Sequence, residues 1–183
     1  MDKKEEVIKT ARELFTKYGY KKVSMDEIAK KSGVTKKTIY TYFKDKDSMF
    51  LYFVQEELNL MKDSIKTDEL NSMSFVDNVA KSLYEMLLIR KNSELISTIS
   101  KELKTNEKAR EFLNFYDRQI LNYIESRISD EINKGNIRVV DPHLTAFIIY
   151  KVFISVMFEY DKEINEEKVT EQVTLILKEG LFN

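Results

Sequence analysis

Residues 25–44 read MDEIAKKSGVTKKTIYTYFK. Two short helices that cross steeply around a tight turn need three things: a small residue where they approach, a glycine able to take positive φ, and an apolar residue closing the second helix onto the first. Ala29, Gly33 and Ile39 supply these, and Ile28 and Val34 fill the flanking core positions. The first of the two helices is expected to start at Ser24, since Ser24-Met25-Asp26-Glu27 has the form of a capping box, with Glu27 reaching back to the serine. The second is expected from Thr35 to about Tyr42, presenting Lys36, Lys37, Thr38, Tyr40, Thr41 and Tyr42 outward. Such polar and aromatic groups suit base edges and phosphates.

The charge distribution supports a polyanionic partner at this end of the chain. Residues 1–47 carry 13 Lys/Arg against 8 Asp/Glu, and the remainder carries 17 against 23, so a basic end precedes an acidic body. Only the basic end is expected to meet nucleic acid. The 183 residues contain no cysteine, which removes disulfides, thiolate metal sites and thiol nucleophiles. With a single histidine as well, no metal and no cofactor are expected. A chain of this length buries roughly 70% of its unfolded surface and folds without such staples.

No apolar run follows the first charged residues, MDKKEEVIK, and the most apolar segment, Leu144–Phe158, is broken by Lys151 and Ser155. It falls short of the ~20 residues a membrane span requires. A cytoplasmic protein without membrane contact is expected.

Elsewhere apolar residues recur at spacings of three and four, and the four glycines and one proline sit where elements should end. The expected fold is all-α. Helices are expected at about 3–18, 24–32, 35–42, 45–64, 75–91, 93–104, 107–134, 142–160 and 166–180. The expected division is a three-helix helix-turn-helix DNA-binding domain over 1–47 and a larger helical effector-binding and dimerisation domain over 48–183. No glycine-rich phosphate loop, nucleophile with base or histidine cluster is present, so an enzyme is not expected. A helix-turn-helix that docks protein instead of DNA is the other alternative.

Ala11-x-x-Leu14-Phe15, Gly19-Tyr20, Val23-Ser24-Met25-x-x-Ile28-Ala29, Gly33-Val34, Ile39-Tyr40-x-Tyr42-Phe43 and Lys46-x-x-Met49-Phe50 together resemble the TetR family of bacterial regulators. The resemblance covers about the first 50 residues. It implies that Ser24 and Thr35 offer helix-start groups to phosphates, that Lys36, Lys37, Thr38 and Tyr40 face the major groove, and that Tyr42 and Lys46 hold the DNA backbone. Many relatives have histidine where Tyr42 stands. The implied function is a homodimeric repressor that leaves a near-palindromic double-stranded operator when a small, largely apolar effector binds.

In the body, the helix at 142–160 is apolar nearly all round, which requires more than one partner surface. Val152 and Val156 on it, with Val169, Val173, Ile176 and Leu177 on the last helix, are the expected dimer contacts. Tyr84, Phe112, Tyr116, Tyr150 and Phe153 are the expected effector-pocket residues, since apolar walls with a few phenol hydroxyls suit a small ligand. Lys151 reads either as a ligand counter-ion or as part of a wet stripe with Ile148, Ser155 and Glu159. His143 is expected at a solvated helix start.

Overall fold

The computed structural model describes residues 2–65, 74–160, 163 and 165–181. Among these the regular elements are all helical: α1 Lys3–Tyr18, α2 Met25–Ser32, α3 Lys36–Tyr42, α4 Lys46–Ile65, α5 Phe75–Asn92, α6 Glu94–Leu103, α7 Glu107–Asn133, α8 Pro142–Phe158 and α9 Glu166–Leu181. The helix starts follow local chemistry. Asp2, Ser24, Thr35 and Asp141 each accept a hydrogen bond from a backbone N–H in the first turn of α1, α2, α3 and α8, satisfying donors that would otherwise be orphaned. The capping box is only half formed. Ser24 Oγ accepts from Glu27 N at 3.2 Å, while the Glu27 carboxylate lies 3.9 Å from Lys31 Nζ.

By its internal packing the chain forms two compact units, 1–58 with 93–112, and 59–92 with 113–183. The expected division at residue 47 is drawn by function. The packing boundaries instead fall inside α4 and inside α7, and α6 shares a unit with the helix-turn-helix.

In the first unit, α1 packs against α2, α3 and α6. Phe15 of α1, fully buried, holds the centre, with ring centroids 5.8 Å from Phe50, 5.9 Å from Phe53 and 5.9 Å from Tyr20. Edge-on and tilted aromatic contacts of this kind add to the burial of area alone. Ile39, also fully buried, is the residue by which α3 is seated. Thr98 of α6 donates from Oγ1 to the Phe15 carbonyl at 3.2 Å. Arg12 pairs with the nearly buried Glu57 of α4 at 2.6 Å and lies over the Phe53 ring.

In the second unit, α5 packs against α8 and α9. The C-terminal end of α5 serves both: Arg90 donates to the carbonyls of Val156 and Tyr160, closing the end of α8, and Lys91 pairs with Glu166 in the first turn of α9 at 3.0 Å. Cations suit the C-terminal end of a helix and carboxylates the N-terminal end. The buried Tyr150 hydroxyl of α8 donates to Asp117 of α7, and Lys151 stands 3.6 Å from the other oxygen of that carboxylate. Ile148, Lys151, Ser155 and Glu159 are all exposed, so α8 has a solvated stripe despite its apolar composition.

Candidate functional site

The outer face of the helix-turn-helix is built by its turn. Gly33 takes φ 68 in the left-handed region, which lets both its own N–H and that of Val34 return to the Ala29 carbonyl. A Cβ at Gly33 would meet nothing within 4 Å, so the requirement is for the backbone angle and not for space. The turn sets α3 so that Ile39 points inward and residues 36, 37, 40 and 41 stay exposed.

The expected contact residues divide by their present partners. Ser24 and Thr35 use hydroxyl oxygens as caps, to Glu27 N and Thr38 N at 3.2 and 3.1 Å. Accepting leaves the Ser24 hydrogen able to donate to an anion. The Thr35 and Thr38 hydroxyls lie 2.9 Å apart and share one hydrogen. Thr41 donates to the Thr38 carbonyl. Tyr40 is exposed and Tyr42 is half-buried. Lys36 pairs with Asp26 of α2 at 2.9 Å, while Lys37 has no polar partner among the described residues.

Lys46, expected at the DNA backbone, is held by main-chain partners in the DNA-free protein. Its ammonium donates to the carbonyls of Tyr20 and Val23 at 3.0 and 2.9 Å and sits 4.2 Å from the Tyr20 ring centroid. It thus ties the first turn of α4 to the corner between α1 and α2. Next to it, Asp47 accepts from the Tyr20 hydroxyl and, at 2.5 Å, from Lys108 in the first turn of α7. The Lys108 ammonium, and then the Tyr20 hydroxyl, hold the Asp47 carboxyl below its ordinary value, and burial with Asp47 raises that of Tyr20.

The second unit contains an apolar cavity of about 60 Å³ between α5, α7 and α8. Phe75, Asn78, Val79 and Ser82 line it from α5, Tyr123, Ile124 and Arg127 from α7, and Ile149 and Phe153 from α8. Of the five aromatics expected at a pocket, Phe153 lies here. Tyr150 is buried on Asp117 instead, and Tyr84 is half-buried away from the cavity. Phe112 belongs to the first unit, and the side chain of Tyr116 lies outside the described residues. The missed lining had a signal: Phe75, Asn78, Val79 and Ser82 share one helical face, and two polar residues interrupt it.

The expected dimer contacts also separate. Val152, Val156, Val169 and Val173 are half-buried, Ile176 is 71% exposed, and Leu177 is buried within its own chain. On α8 and α9 the large exposed apolar residues are Leu144, Phe147, Ile148, Leu175 and Ile176. Among the described residues no helix is long and apolar enough to cross a membrane, and no cluster of three acidic or histidine side chains could hold a metal.

A helix-turn-helix with a cationic outer face, packed on a helical support, defines a DNA-binding regulator. The profile of the bacterial regulatory proteins of the tetR family matches residues 7–53. The HTH-type transcriptional regulator YhgD of Bacillus subtilis (strain 168) is 33% identical over 186 residues, covering 99% of this chain and 97% of its own. The crystal structure of the regulator FadR from Bacillus subtilis in complex with stearoyl-CoA has the same fold. It gives a TM-score of 0.78 at 20% identity and covers 95% of this chain and 97% of the other. So has AibR in complex with isovaleryl coenzyme A and operator DNA, with a TM-score of 0.67 at 19% identity over 96% and 97% of the two chains. The chain belongs to the TetR family of transcriptional regulators.

The Lys46 clamp leads to a measurable expectation. Two hydrogen bonds from a charged donor are lost in Lys46→Met, so unfolding free energy should drop by about 2 kcal/mol. Urea denaturation of the DNA-free protein reads this directly. A variant as stable as the parent would return Lys46 to a surface role.

Proposed function

We propose that the chain is a homodimeric repressor, acting in the cytoplasm, whose hold on a near-palindromic operator is weakened by a ligand bearing a short acyl or similar apolar group. The observation that carries this reading is the apolar cavity of the second unit, with Arg127, Asn78, Ser82 and Tyr123 as its polar-bearing residues. FadR and AibR, which share the fold, are described with stearoyl-CoA and isovaleryl coenzyme A. At about 60 Å³ the cavity is smaller than the ~150 Å³ that admits a benzene ring. A ligand that inserts more than a few carbons among these helices would push α5, α7 or α8 outward, and that displacement is the proposed source of differential binding between two states.

The displacement has a covalent route to the DNA-binding helices. α7 carries Tyr123, Ile124 and Arg127 at the cavity, and its first turn carries Lys108, which is bound to Asp47 beside the Lys46 clamp. α4 follows the recognition helix α3 after Phe43, Lys44 and Asp45 and continues into the second unit. Two recognition helices in a dimer must match half-sites about one helical turn, ~34 Å, apart or a multiple of it. A shift of a few ångströms loses one half-site. By linkage, the ligand binds free protein more tightly by the factor with which it weakens DNA binding, commonly 1–3 kcal/mol.

Acyl-CoA esters of increasing chain length, followed by thermal shift and by operator affinity, test the whole reading. Hits that stabilise the protein yet never alter operator affinity would leave a pocket without a switch. Ser82→Phe fills the cavity, at a folding cost of about 1–3 kcal/mol. It should abolish the ligand shift while ligand-free protein still binds DNA.

At the DNA, Lys37 is the free ammonium of α3. Lys37→Ala should lower affinity for the selected site by about 1–3 kcal/mol with unchanged melting. Equal loss on selected and unrelated duplexes, measured by fluorescence anisotropy, would make Lys37 a phosphate contact and not a reader.

For the dimer, the exposed residues replace the buried one as the test. Ile176→Asp should sediment as a monomer and keep its helical signal, whereas Leu177→Asp buries an unpaired charge and should unfold the second unit. An Ile176→Asp protein that still sediments as a dimer would move the interface away from α9.

A further inference from the structure

Lys36 and Lys37 are consecutive at the start of α3, yet they stand in different circumstances. The Lys36 ammonium lies 2.9 Å from Asp26 Oδ2, a carboxylate that reaches across from the first turn of α2. The two side chains are 44% and 74% exposed. A pair this open to water contributes almost nothing to folding, and Asp26 is not needed as the helix cap, because Ser24 holds that position. Lys37, one residue on, has no polar partner among the described residues. The carboxylate also sits within a basic segment, where the 13 Lys/Arg of residues 1–47 outnumber 8 acidic residues, and it neutralises one cation on the face that presents α3.

We propose that Asp26 is a specificity-determining residue: by holding Lys36 it keeps that ammonium off the phosphate backbone, so unrelated DNA is bound weakly. This rests on the reading that α3 faces the groove. Binding to arbitrary duplex is driven almost wholly by cations that displace condensed counterions. Each lysine that reaches a phosphate steepens the salt dependence of log K by about 0.9. On unrelated DNA the protein has no fixed register, and a loose lysine finds a phosphate in every one. Tethered to Asp26, Lys36 must break its pair before it contributes. On the selected site, base contacts fix the register and the tether has less to withhold. Hydrogen bonding to Asp26 raises the Lys36 pKa, so the Lys36 ammonium stays charged at any working pH. It therefore acts by position, not by titration.

The experiment uses the full chain and two duplexes of equal length and composition. One is enriched by the protein from a random pool and the other is unrelated; both are titrated between about 50 and 200 mM salt. Asp26→Asn should bind the unrelated duplex about 3- to 10-fold more tightly at the low end, with a slope steeper by about 0.9 per bound subunit. The selected duplex should gain less, so the discrimination ratio falls. In a Lys36→Met background the same change should do nothing, because its effect runs through that lysine. An unchanged slope, an equal gain on both duplexes, or a gain that persists without Lys36 would each overturn the proposal. Lys37→Met separates this from the parent reading. If it weakens binding while Asp26→Asn is silent, only the role of Asp26 falls. If Lys36→Met and Lys37→Met both leave every duplex unaffected, α3 does not face the DNA.

Discussion

Everything that α3 presents depends on the aromatic knot around Phe15. A helix of seven residues has no stability of its own, since nucleation costs more than so few hydrogen bonds return. It exists because Ile39 is fully buried where α3 packs on α1 and α2, in the unit whose core Phe15, Phe50, Phe53 and Tyr20 fill. Tyr20 carries the knot outward: its ring meets Phe50 at 4.8 Å, its carbonyl receives Lys46, and its hydroxyl binds Asp47. The aromatic core and the ionic clamp are therefore one structure. Its position decides where α3 stands, and its ionic side ends on Lys108 of α7.

The second unit solves a different problem. A helix as apolar as α8 could bury itself in several registers, because hydrophobic contact is not directional. The Tyr150–Asp117 hydrogen bond and the two carbonyls capped by Arg90 select one of them. Directional polar contacts of this kind, of which only Tyr150–Asp117 is buried, supply orientation more than energy. They leave the apolar contacts around Phe75, Ile149 and Phe153 incompletely filled. A tight polar frame around a loosely filled interior is the arrangement in which an added group can move helices without unfolding them.

How much of this could be read from the sequence follows the range of the interactions involved. The caps at Ser24, Thr35 and Asp141 and the glycine turn at 33 are set by residues within five positions of each other, so they are legible. The all-α class follows likewise from periodicity. The role of Lys46 is different, because it depends on two carbonyls more than twenty residues earlier, which a linear motif does not reveal. The cavity depends on how three separated helices are turned, which aromatic abundance does not encode: Phe153 lines it, while Tyr150 is held on Asp117. Leu177 fits an apolar stripe on α9 equally well whether the stripe faces its own chain or another copy.

The sharing of α6 with the helix-turn-helix carries a consequence for synthesis. The first unit is interrupted in sequence by residues 59–92, so it cannot close until the chain has grown through 112. At about 5–20 residues per second, the ribosome delivers Ile96, Ile99 and Thr98 several seconds after α1 and α4 have emerged. During that interval the surface of α1 that α6 will cover is bare, with the Phe15 carbonyl still waiting for Thr98. A nascent chain at this stage lacks the cover that α6 gives to α1, a natural point for chaperones or proteases to act.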